Sequence, residues 1–188
     1  KEPIFKLSNA FMEKNAPQAL ALLNSLFIDG AHPLQILKVL ENQIRKLILV
    51  KEFAEKLKKE KKGINFKTIN FNIFKQNILP RIIEHDKQTQ KAVEEKELAF
   101  TGEKPKKKTG LSSELLLAPN PNNPYPVFLL FQKSENFSSD SSFGSSFGSS
   151  FGELQQALIS LSDMEYRLKS SIFDAKTSFE SFIINSCT

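Results

Sequence analysis

The stretch PLQILKVLENQIRKLILVKEFAEKLKK, Pro33 to Lys59, decides how this chain folds. Leu37, Leu40, Ile44, Leu47 and Ile48 recur at three- and four-residue steps, the spacing that stacks side chains on one face of an α-helix. Ile36, Val39 and Val50 widen that stripe, so the pattern predicts a helix buried on more than one side. Its end runs Glu55-Lys56-Leu57-Lys58-Lys59-Glu60-Lys61-Lys62 and stops at Gly63. An exposed helix end, with cations near its negative pole, explains that run better than targeting or nucleic-acid binding does.

Upstream, two shorter helices are expected. Ser8 is read as the cap of a helix through Phe11 and Met12. Asn15 precedes Ala16-Pro17, and proline is tolerated in a first turn because its missing N–H would be unpaired there anyway. Leu20, Leu23, Leu26 and Phe27 give the second helix one apolar face, and Asp29-Gly30 ends it. Downstream, a second helical stretch is expected from Phe66 to Phe100, in which Phe66, Ile69, Ile73 and Phe74 keep a helical period up to Pro80, expected to break or kink it. Thr101 to Gly110 reads as an exposed loop. Leu111 to Leu117 reads as a short helix capped by Ser112 or Ser113. Pro119 to Pro126 holds four prolines and serves as a stiff connector into a helix over Val127 to Phe137. Ser-Ser-Phe-Gly occurs three times across residues 141–152, too short a unit for a solenoid. A polar loop is expected there, poorly ordered from Phe137 to Ser150.

Two helices close the chain. In Glu153 to about Lys169, Ala157, Leu161, Met164 and Leu168 make a stripe with Leu154 and Leu158 beside it. In Phe173 to about Asn185, Phe179, Phe182 and Ile183 do the same. No segment alternates apolar and polar residues at hairpin spacing. The expected class is all-α, a helical bundle.

The 188 residues carry 26 Lys and Arg against 21 Asp and Glu, a formal charge of +5. Only Arg45, Arg81 and Arg167 are arginine, the residue that reads phosphates and guanines in bidentate fashion. The charge therefore points to weak or indirect DNA contact. Cys187 stands alone, so it forms no internal disulfide and suits a reducing cytoplasm. No apolar run is long enough for a bilayer, and no membrane partner is expected.

No catalytic residue, cofactor site or metal site is expected. Phosphate-binding glycine loops are missing, and Gly102-Glu103-Lys104 lacks the first glycine and the preceding strand. His32 reads as a surface turn residue and His85-Asp86 as part of a solvated helix face. Zinc would need carboxylates to complete a ligand set. Asp163 and Glu165, two apart on a helix, point to different faces. No nucleophile lies paired with a base.

Several segments, in order, resemble one family. Ile4 to Ala10 and Ala19 to Leu26 look like the opening helices of the third domain of the bacterial DNA polymerase III clamp-loader delta subunit. Gly30, His32 to Leu37 and Gln43 to Leu47 resemble its next helix. Asn123-Pro124-Tyr125-Pro126-Val127, then Phe137-Ser138, are similar to a later one. Leu161-Ser162-Asp163-Met164-Glu165-Tyr166-Arg167-Leu168-Lys169-Ser170 resembles its penultimate helix. The resemblance covers about Ile4 to Lys58 and Ser112 to Asn185, leaving about 60–110 as a helical insertion and 138–152 as a low-complexity loop.

That resemblance implies a single helical oligomerisation domain over 1–188, cut from a longer subunit. It implies a non-catalytic role inside a DNA-directed DNA polymerase holoenzyme, a nucleotidyltransferase whose chemistry other subunits perform. Expected partners are the motor ATPase subunits and a delta-prime-like subunit, packed into a helical collar that supports clamp loading. The sliding clamp itself would be reached through N-terminal domains preceding Lys1. Leu154, Leu158, Leu161, Met164 and Leu168 are the candidate subunit interface. The alternatives are a helical protein-binding adaptor and a helical nucleic-acid-binding module.

Overall fold

A computed structural model describes residues 2–60, 64–101, 115–137, 152–170 and 174–187. Every regular element among them is helical: α1 Glu2–Met12, α2 Ala16–Ile28, α3 Pro33–Glu60, α4 Phe71–Ile73, a π turn Phe74–Ile78, α5 Leu79–Thr101, α6 Tyr125–Ser134, α7 Glu153–Ser170 and α8 Ala175–Cys187. The all-α expectation holds. The chain packs as two compact units, Lys1–Ile48 with Lys133–Thr188, and Leu49–Gln132.

The first unit is organised around aromatic residues from α1 and α8. Phe11 stacks on Phe182 at 5.4 Å and lies 6.0 Å from Phe137, while Phe27 meets Phe179 at 6.2 Å. Leu7, Leu23, Ile36, Leu37, Leu40 and Ile44 fill the space beside them. Phe137, the last residue of one expected helix and the first of the expected poorly ordered stretch, is buried, because its ring completes this cluster. Residues 138–151, which hold most of that expected loop and its repeat, lie outside the described residues.

Local chemistry sets the helix ends. Ser8, expected to cap α1, sits inside it. Its hydroxyl donates to the Phe5 carbonyl at 2.9 Å, and that internal bond lets a small polar residue be buried. Asn15 caps α2 as expected, its Oδ1 accepting from the Gln18 amide at 3.1 Å. Gly30 ends α2 at φ +76°, where the Ala31 and Gly30 amides donate back to the carbonyls of Leu26 and Phe27. His32 caps α3, Nδ1 accepting from the Leu34 amide at 3.2 Å. Asp174 caps α8, its carboxylate accepting from the Thr177 amide and hydroxyl at 3.2 and 2.6 Å.

The second unit is a phenylalanine-rich core. Phe131 of α6 lies 5.0, 5.4 and 6.2 Å from Phe66, Phe74 and Phe53. Val50, Ala54, Leu57, Ile78, Ile82, Leu117, Val127 and Phe128 close around them. Phe66 and Ile69 precede α4 in an irregular turn, so the helix begins later than the spacing predicts. Pro80 does not break the helix. The Leu79 amide donates to Phe74, five residues back, and this wide π turn absorbs the carbonyl that the proline ring would otherwise strike.

Asp86 corrects another expectation. It is 6 % exposed, not part of a solvated face, and its two oxygens accept from the amides of Leu117 and Ala118 at 2.8 Å each. His85 beside it packs edge-on against Phe53 at 5.0 Å. The loop 101–110 lies almost wholly outside the described residues, as does most of the short helix expected over Leu111 to Leu117.

Candidate subunit interface

α7 has two faces with different fates. Leu154, Ala157, Leu161 and Met164 are buried in the chain's own core. Leu158, at the border of that stripe, and Leu168, in the helix's last turn, are half-buried. On the opposite side, Ile159 is 51 % exposed and Tyr166 is 72 % exposed. Seven residues is two turns less about 20°, so these two side chains stack one above the other along the helix. Spacing analysis missed both because each stands alone among polar neighbours. Of the five candidate residues, the structure turns Leu154, Leu161 and Met164 inward and leaves Leu158 and Leu168 partly open.

Polar groups along α7 are paired locally. Lys169 donates to Glu165 at 2.7 Å and holds its carboxyl below the usual range, helped by the charges of Lys38 and Arg45 on α3. Arg167 pairs with Asp163 at 2.9 Å. Asp163 and Glu165 thus serve separate ion pairs, as their spacing predicts. Between α7 and α8 runs an open groove of about 420 Å³, with Met164 and Phe182 in its lining and Ser160, Arg167, Thr177, Ser181 and Asn185 around them. The hydroxyls of Ser160 and Ser181 donate to carbonyls one turn back in their own helices, which ties them to the backbone. Further apolar side chains of this unit reach solvent at Phe5, Ile28 and Ile184.

Nothing in this arrangement brings a nucleophile to a base. Burial raises the Cys187 thiol above its ordinary range, which makes it a poorer nucleophile. Among the described residues, no three or more His, Cys, Asp or Glu gather at metal-binding distance. No described helix is long and apolar enough to cross a membrane.

The fold and this face define an all-helical module with partly open apolar helix surfaces. Residues 1–72 match the family model of the DNA polymerase III delta subunit, C-terminal domain. That match spans α1 to α3 and reaches into α4. No curated protein and no solved structure matches the chain.

Proposed function

We propose that this chain is a non-catalytic assembly domain of a clamp-loader delta subunit, packing with sister subunits into the collar that supports sliding-clamp loading. The family match over residues 1–72 carries the reading. The outward face of α7 supports it: Ile159 and Tyr166, stacked seven residues apart, offer apolar area without unfolding any core. An aromatic residue at the centre of such a patch is the kind of anchor on which interfaces depend. The chain's role is then to hold ATP-hydrolysing modules in order around DNA.

The test is reconstitution of the delta subunit with its motor subunits, followed by gel filtration. The double variant Ile159→Glu, Tyr166→Glu should melt like the parent, since both positions are exposed, yet no longer co-elute. Leu161→Ala should lose about 2–5 kcal/mol of stability by opening a cavity, which marks it as a core residue. Unchanged co-elution of the folded double variant would remove α7 from the interface. A parent that ignores the motor subunits would remove the collar reading.

A further inference from the structure

The positive charge of this chain is confined to one unit. Residues 49–132 hold sixteen Lys and Arg against ten Asp and Glu, while the remainder holds ten against eleven. Within that unit no acidic residue occurs from Lys61 to Ile83, nor from Leu115 to Gln132. These two acid-free segments meet at an aromatic surface. Tyr125 is 51 % exposed and sits edge-on to Phe71 at 5.5 Å, with Phe128 beneath both. Ile73 is also half exposed. Lys75 lies one turn beyond Phe71, Lys67 lies in the turn just before it, and both are exposed.

We propose that this face binds single-stranded nucleic acid, with phosphates on Lys67 and Lys75 and an unpaired base stacked on Tyr125. An open aromatic ring on segments that carry lysines and no acidic residue of their own fits a polyanion that carries flat apolar groups. An acidic peptide would satisfy the lysines but leave the ring unused. A duplex keeps its bases stacked and out of reach of Tyr125. Lysine without arginine follows a backbone and does not read base edges, so little sequence preference is expected. This site goes beyond the collar reading and does not depend on it.

Fluorescence anisotropy of the full chain with labelled oligo-thymidine of roughly 20 nucleotides, across a salt series, tests the proposal. Tyr125→Ala should weaken binding about tenfold, and Tyr125→Phe should keep most of it. The pair Lys67→Gln, Lys75→Gln should weaken binding and reduce the salt slope by about 1.4, two phosphate contacts at about 0.7 each. The same charge loss in the other unit, Lys169→Gln with Lys176→Gln, should leave the slope nearly unchanged. Absence of binding by the parent at low salt overturns the proposal. So does an equal loss from both lysine pairs, or tighter binding of a duplex of equal length. If polyglutamate displaces the strand and Tyr125→Ala binds like the parent, the surface serves an acidic protein and the proposal is wrong. The lysine pair is exposed and decides the matter even if Tyr125→Ala melts early.

Discussion

Lys14 holds φ +53°, a left-handed conformation that costs a side-chain-bearing residue about 1 kcal/mol. The turn needs it: the amides of Lys14 and Asn15 donate back to Phe11 and Ala10, closing α1 as glycine closes α2. The side chain offsets the strain. Its ammonium pairs with Glu153 at 3.0 Å and lies 5.4 Å from the centre of the Phe137 ring. Ion pair and cation–π contact together contribute about 1 kcal/mol at this exposure. Lys14→Gly should therefore melt close to the parent, whereas Lys14→Ala keeps the strain, loses both contacts and should cost about 1 kcal/mol in denaturant unfolding. A glycine variant as unstable as the alanine one would show that the backbone there is unstrained. Asp86 is the opposite case, a buried acceptor with two amides and no substitute. Asp86→Ala should cost about 3 kcal/mol in the same assay, since two buried donors lose their partner. Sequence alone could not find this role, because the amides it serves lie more than thirty residues away.

Element boundaries show what was legible. α3 could be read end to end because its apolar period is unbroken and its terminus charged, and it runs Pro33–Glu60. The stretch through α4 and α5 was read with a break or kink at Pro80, because periodicity carries no sign of the π turn that accommodates the proline ring. The stripe on α7 was legible as a stripe, but not as core against surface, since that choice rests on what α8 and the rest of the core cover. α8 starts two residues later than its apolar residues suggest, after the Asp174 cap. The hydrogen bond from Thr177 is the main cause that holds the Asp174 carboxyl below its usual range. A depressed carboxyl stabilises the fold above its unfolded pKa, and that stabilisation fades as pH falls through the folded value. The melting temperature should thus drop as acid protonates Asp174, and Asp174→Ala should melt lower near neutrality with a flatter acid limb. Parallel acid limbs in the two proteins would exclude the cap from the pH response.

At the scale of the whole molecule, α3 is the element through which both cores are built. Leu37, Leu40, Ile44 and Leu47 fall in the first unit, while Val50, Phe53, Ala54 and Leu57 fall in the second. Its sequence therefore answers two packing problems in turn. The apolar face must continue past Ile48 without a break, and the wide stripe that first marked this helix is the result. Helical order is cooperative, so an interruption where the units divide removes hydrogen bonds on both sides of it. Ile48→Pro deletes one amide and strikes a carbonyl one turn back, at a cost of about 3 kcal/mol or more. Hydrogen exchange resolved by segment should then rise in α1, α7 and α8 and also in α5 and α6. Two cavity variants give the contrast. Ile44→Ala should raise exchange mainly in the first unit and Phe53→Ala mainly in the second, because each removes volume from one core only. If Ile48→Pro leaves α5 and α6 as protected as in the parent, the second unit stands without the first half of α3. The continuous helix would then be a connection between the units and not a shared support.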